Sequence, residues 1–397
     1  MFKSLKRITY HASDLDKAKE WYAGVLNALP ILDTPFVIIF KVGDCTLSIA
    51  KSNNQTQATG EQIETYWEVD DIDSSFQRLI GMGAREHTPL TDRLSIRIAR
   101  VIDPFGNIIG ITGLPLDASK RSVEDKPSES ALLLAFCRAL AAKDEREEIK
   151  GPDYLAEFFL TEEGKKPLKD SASRKWAIQK LITSPKYGYS IARTAYIDTL
   201  FKKYLAENIS QIVLLGAGYD TRPYRFHDSL STTKIFEVDI QSTQKRKSEI
   251  LQNINLTIPE QIAFVSLNFE TDSLEEALLK AGFNSSAKTV YIWEGVTYYL
   301  TRDTVYNTLD FIRWRSSKGS IVCFDYLTEK IESMNAAEPY RFIIGKDELK
   351  SLLSEHGFEI LEHIDSEEME KKYLTLKDGS LAEKALTHFC FVSAMVS

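Results

Sequence analysis

The chain has 397 residues, 43% hydrophobic and 27% charged, which leaves room for more than one packed core and is the make-up of an ordinary globular protein. A formal charge of -8 argues against general affinity for nucleic acid or anionic membrane, since both demand a basic footprint. The opening MFKSLKRITYHASD is too polar for a secretory leader and no apolar run approaches a bilayer span, so a cytoplasmic protein that does not enter the membrane is expected.

Lys6 to Ser13 reads as a strand. Asp14 then caps a helix from Leu15 to Leu26 whose Ala18, Trp21, Tyr22 and Val25 share one face. Strands at 36–40 and 46–50 follow, joined by a turn at Gly43 and Asp44. The same order then recurs: a strand from Glu64 to Val69, a helix from Asp71 to Ile80, and strands at 93–102 and 107–112. One βαβββ unit has been written twice.

Within it, SDLDKAKEWY (13–22), EVDDIDSSFQRL (68–79) and DPFGNIIG (103–110) are similar to segments of the vicinal oxygen chelate family, the glyoxalase and bleomycin-resistance-like fold. The resemblance implies an α+β domain at 1–116. Catalytic members of that family hold a divalent metal with His or Glu at three strand positions, and overlaying the motifs puts Arg7, Glu64 and Gly110 there. A single oxygen ligand beside a guanidinium cannot make a catalytic metal site, so no metal is expected. His11 and His87 read as structural or surface residues. The domain is expected to bind a ligand or to mediate dimerisation, and not to catalyse.

LDASKRSVEDKPSES is polar and charged, so residues 117–130 read as a linker to a second domain at 131–397. A helical period returns at 131–141, and aromatic and charged residues alternate in short pieces from Gly151 to Tyr189, interrupted by TSPKYGYS. The next helix is expected from Ile191 to Tyr204 with Arg193 in its first turn. Cys45, Cys137, Cys323 and Cys390 stand singly in apolar surroundings, without a CxxC pair, which points to buried free thiols and to neither disulfide nor zinc.

At Gln211 to Phe226, QIVLLGAGYDTRPYRF, an apolar run stops at Gly216-Ala217-Gly218. That is a buried strand entering a glycine turn where open α/β sheets take a nucleotide-like ligand. The third position of a dinucleotide fingerprint is filled by Thr221, Asp220 puts a negative charge where a phosphate would sit, and no P-loop lysine is present. A positively charged cofactor without phosphate, S-adenosylmethionine, fits better. A second strand ends in Asp239, about 20 residues beyond the glycines, as a ribose-binding acid should. Strands at 263–267, 289–293 and 320–325 then alternate with helices at 241–251, 274–281 and 301–316. Late strands near 359–363 and 388–396 supply an edge pair, and the whole is α/β with a mostly parallel sheet.

SRKWA (173–177), IARTAYID (191–198), LLGAGYDTRPYRF, FEVD (236–239), WEGVTYYLT (293–301) and THFCFVSA (387–394) together resemble the leucine carboxyl methyltransferase-like family, class I enzymes with a Rossmann-like sheet that use S-adenosylmethionine. The resemblance implies that Lys175 and Arg193 bind the cofactor's carboxylate and that Gly216, Ala217 and Gly218 underlie its methionine portion. It further makes Asp239 the ribose ligand, Glu294 the acid near the methionyl end, and Ser266-Leu267 the counterpart of the Asp-Leu that the family commonly places at adenine. A carboxylate acceptor is already nucleophilic at neutral pH, whereas a hydroxyl needs a base, for which Glu294 ranks ahead of His227 and His388. The reading is a small-molecule O-methyltransferase, of the kind found in secondary metabolism, its first domain aiding substrate binding or homodimer formation. The alternatives are a protein C-terminal carboxyl methyltransferase and a drug-binding resistance protein whose methyltransferase domain is inactive.

Overall fold

The computed structural model describes residues 7–43, 45–51, 65–69, 71–93, 96–113, 128–331 and 339–397. The chain divides into two compact units, Met1–Lys120 and Arg121–Ser397. Most of the segment read as a linker lies outside the described residues, and no described helix is long and apolar enough to cross a membrane.

In the first unit, β1 (Arg7–Ala12), the helix Leu15–Leu26, β2 (Leu32–Asp33), β3 (Val37–Val42) and β4 (Cys45–Lys51) form one copy of the repeat. The other copy is β5 (Tyr66–Val69), the helix Ile72–Gly81, β6 (Arg85–Arg93), β7 (Ile96–Ile102) and β8 (Ile108–Gly113). The sheets run β1-β4-β3-β2 and β5-β8-β7-β6, the same order written twice. Each helix starts on an aspartate side chain that accepts a backbone N–H, Asp14 from Lys17 and Asp71 from Ser74, which satisfies a donor the first turn leaves free. Apolar faces of both helices and both sheets, Trp21, Tyr22, Phe40, Phe76 and Val101 among them, share one core.

β2 and β6 escape the sequence pattern for a common reason: both are edge strands. β2 is two residues between Pro30 and Pro35, held by Ile31 N donating to Ile39 O at 2.7 Å, and β6 is polar, contains Pro89 and shifts register against β7. At the positions compared with metal ligands, Gly110 has no room for a side chain, since a Cβ would lie 2.7 Å from the Tyr66 ring, and Glu64 lies outside the described residues. His11 and His87 are exposed, while Tyr10 and Ala12, on the other face of β1, are buried.

The second unit holds β9 (Gln211–Leu215), β10 (Lys234–Asp239), β11 (Ile262–Ser266), β12 (Thr289–Trp293), β13 (Ile321–Leu327), β14 (Phe358–Ile364) and β15 (Phe389–Val396). Their order is β11-β10-β9-β12-β13-β15-β14, parallel except for β15, which is antiparallel to both neighbours. Ile212 and Leu214 of β9 pack into one core and Val213 and Leu215 into another, so the sheet is covered on both faces and this strand is apolar from Ile212 to Leu215. The chain leaves β9 toward β10 on one side and returns to β12 on the other. That reversal opens a crevice at the carboxyl ends of the strands, where sheets of this kind bind ligands.

One expected boundary is corrected. The helix read as starting at Ile191 runs Ser184–Ala206, straight through the stretch taken as an interruption, because Pro185 sits in its first turn, where a missing N–H costs nothing. Arg193 is therefore mid-helix and 1% exposed.

Candidate active site

At the exit of β9 the backbone turns through Gly216 (φ +74°) and Gly218 (φ +47°), both in the left-handed region that a side chain disfavours. The amides of Gly216 and Ala217 both donate to Val238 O, at 2.8 and 2.9 Å, tying the turn to β10. A Cβ on Gly216 would stand 2.2 Å from Cγ2 of Val296. β10 ends in Asp239, whose Oδ2 accepts from Gly218 N at 2.6 Å and whose Oδ1 accepts from Ile240 N at 2.7 Å. One carboxylate thus fixes the turn and the entry to the helix Gln241–Asn253 together.

These groups border a cavity of about 420 Å³ at the strand ends. Gly216, Ala217, Gly218, Asp239 and Glu294 all line it, with Phe269, Val296 and Tyr299 completing much of the wall. Arg193 stands behind Glu294 and does not line it. Lys175 is not brought there either: it is exposed, beside a separate cavity of about 450 Å³ that it shares with Arg146 and Arg174. Ser266 is exposed and Leu267 is buried with its amide already donating to Asp239 O at 2.9 Å, so that amide is not available to a ligand. The next residues, Asn268, Phe269 and Glu270, take the wall position expected of the Ser266-Leu267 pair. His227 and His388 do not line the cavity; they pair with Asp228 and Glu329.

A buried ionic network supports the floor. Glu294 accepts from Arg193 Nε at 3.0 Å on one oxygen and from Arg222 Nη1 at 2.7 Å on the other. Arg193 Nη1 also donates to Asp325 at 2.7 Å, while Arg222 reaches Asp198 through Nε at 2.7 Å and Asp220 through Nη1 at 2.6 Å. Burial alone would lower the pKa of both guanidinium groups, yet Asp325 beside Arg193, and Asp220 and Glu294 beside Arg222, hold their pKa values well above normal. Burial likewise pushes Asp198 and Asp220 up, but Arg222 outweighs it and both carboxyls are held below the usual range.

Arg193 Nη2 and Arg222 Nη2 are buried without a hydrogen-bond partner among the described residues. Such a group costs about 1–3 kcal/mol unless something accepts its proton. Arg138, on the helix Glu129–Ala142, brings a third guanidinium to the wall, held by Asp153 at 2.8 Å and by Tyr219 O at 2.7 Å. Two positive-φ glycines under the floor, the buried guanidinium of Arg222 at the cavity with an unmet donor, and a carboxylate at the end of β10 fit a ligand that carries ribose hydroxyls and an amino-acid carboxylate, as S-adenosylmethionine does. Sequence reasoning missed Arg138, Arg222 and Asp325. Arg222 was within sight, as the arginine two residues after Asp220 in the turn motif, and Arg138 was the one charged residue of an otherwise apolar helical run.

The family model described as leucine carboxyl methyltransferase matches residues 131–313, and that of the glyoxalase/bleomycin resistance protein/dioxygenase superfamily matches residues 4–111. YktD of Bacillus subtilis, provisionally named an S-adenosyl-L-methionine-dependent methyltransferase, is 28% identical over 231 residues, which cover 54% of this chain and 74% of YktD. Proteins of Streptomyces avermitilis and Frankia alni, provisionally named in the same way, are 32% and 29% identical, each over 48% of this chain and 66% of its own length. Residues 4–111 are therefore similar to the glyoxalase superfamily and residues 131–313 to the leucine carboxyl methyltransferase family, and the protein is an S-adenosylmethionine-dependent methyltransferase.

Proposed function

We propose that the protein is an O-methyltransferase acting on a carboxylate or hydroxyl of a small molecule, and that the first domain aids substrate capture or dimerisation without catalysing. The observation that carries the reading is the cavity at the strand ends, mostly apolar, with Asp239, Glu294 and Arg222 at its floor and Arg138 on its wall. Its size is that of a site for a compact organic ligand.

In this reading Asp239 holds the ribose hydroxyls, the glycine turn lets the backbone approach, and Arg138, Arg193 and Arg222 supply the positive field for an amino-acid carboxylate. The cofactor, when bound, supplies a methyl group on a positively charged sulfur. What the chain contributes is alignment and the exclusion of water, which in a displacement of this type accounts for much of the rate. Glu294 is poorly suited to take a proton, because both of its oxygens already accept from guanidinium groups. Its role is better described as holding Arg193 and Arg222 in place. With no histidine at the cavity wall among the described residues, an acceptor that is already ionised at neutral pH makes the least demand on these residues.

Calorimetry with S-adenosylhomocysteine, followed by incubation with methyl-labelled S-adenosylmethionine and a panel of carboxylic acids and phenols, tests the proposal. Micromolar binding with label appearing on a small acceptor is expected. Absence of binding at high micromolar concentration, or label transferred only to a protein C-terminus, would overturn it.

A further inference from the structure

We infer that Asp325, which does not itself line the cavity, is a positioning residue for the cofactor site, fixing both the turn 294–297 and the guanidinium of Arg193. The inference rests on the reading of this cavity as the S-adenosylmethionine site. Asp325 lies on β13 and is 2% exposed. A lone carboxylate at such a place is costly unless its partners repay the loss of water.

Of its partners, Gly295 lines the cavity and Arg193 stands directly behind it. Oδ1 accepts from Gly295 N at 2.6 Å, and Oδ2 accepts from Arg193 Nη1 at 2.7 Å and from the Tyr189 hydroxyl. The backbone carbonyl of the same residue accepts from Thr297 Oγ1 at 2.5 Å. The turn after β12 is thus pinned at Gly295 and again at Thr297, and the residues between and beside those points, Glu294 and Val296, face the cavity. Val296 is the side chain that closes on Gly216, and Glu294 is the acid that both arginines hold.

Gly295 shows how close the fit is. Its φ is +74°, and a Cβ there would lie 3.3 Å from both terminal nitrogens of Arg193, so the turn lies against the guanidinium with only a hydrogen to spare. Asp325 draws these two surfaces together from behind. Without its charge one acceptor oxygen remains where there were two, so the Gly295 amide and Arg193 can no longer both be held, Arg193 loses one of its two acidic partners, and the orphaned Nη2 is no longer held toward a fixed place. Tyr298, whose hydroxyl is 3.2 Å from Arg193 Nη1, remains as a neutral contact that cannot replace the carboxylate.

The test is Asp325→Asn in the full-length protein, read by calorimetry with S-adenosylhomocysteine and by amide hydrogen exchange. Affinity is expected to fall by about tenfold or more, the scale of a lost charge-assisted hydrogen bond. Exchange should quicken at residues 295–297 while β9 and β12 stay protected, a local change that a merely structural role, acting through global stability, would not give. Affinity within about twofold of wild type, with unchanged exchange in the turn, would overturn the inference. Should Asp325→Asn not fold, Tyr189→Phe removes one donor and keeps every charge: about threefold weaker binding is expected, and wild-type affinity would overturn the inference. Failure of the wild-type protein itself to bind S-adenosylhomocysteine would instead bring down the reading of the cavity, and this inference with it.

Discussion

Replacing Gly216 by alanine tests the geometry on which the site depends. The backbone there has φ +74°, and an alanine in the left-handed region costs about 1–2 kcal/mol. The new methyl would also meet Val296 Cγ2 at 2.2 Å, well inside contact distance, and overpacking of that kind adds about 1–3 kcal/mol. Together the change should destabilise the second unit by about 2–5 kcal/mol. Because two units need not unfold together, the loss is best read from the exchange protection of the amides of β9, which reports opening of that unit. The steric part is separable from the strain. Truncating Val296 to alanine removes the offending Cγ2 and leaves Cβ, 3.4 Å from the new methyl, so the double variant should recover about 1–3 kcal/mol of interaction energy while the strain persists. Wild-type protection in Gly216→Ala, or strict additivity in the double variant, would refute the argument.

Glu294→Gln should weaken S-adenosylhomocysteine binding by about tenfold or more, since it leaves Arg193 and Arg222 short of a buried counter-charge; calorimetry showing unchanged affinity would exclude the holding role. Asp198 and Asp220 have folded pKa values below their unfolded ones, so the stability they add is complete above the ordinary carboxylate range, near pH 4, and is lost as pH falls through the depressed folded values. Thermal unfolding followed from pH 7 down to pH 2 should show that decline, and Asp198→Asn should flatten it. Elemental analysis after chelation is expected to find no stoichiometric metal and no loss of methyl transfer, because the strand positions compared with metal ligands offer Arg7 and a crowded glycine, Gly110. A thiol reagent should label Cys45 well ahead of the others: burial pushes the Cys137 and Cys390 thiols up to about 11 and the Cys323 thiol higher still.

Much of the fold was legible because its signals are local. The apolar run of β9 broken by glycines, the aspartate caps at 14 and 71, and the doubled order of strands and helices in the first unit each depend on neighbours in sequence. What eluded the sequence depends on partners. β2 and β6 exist only because β3 and β7 offer hydrogen bonds to otherwise weak segments, and the helix Ser184–Ala206 passes through a proline that only its place in the first turn makes harmless.

The candidate site divides along the same line. The glycines and Asp239 were readable, since a turn at the end of one strand and an acid at the end of the next are positions along the chain. The cations were only partly so: Arg193 was named from its motif, but Arg138 and Arg222 come from other segments, and Lys175, as plausible in sequence as any of them, sits on another cavity. Sequence determined where the backbone must bend and what charge stands at the bend. Tertiary structure decided which distant side chains meet there, because burying a guanidinium is tolerable only where several carboxylates converge, and convergence is a property of the packed sheet.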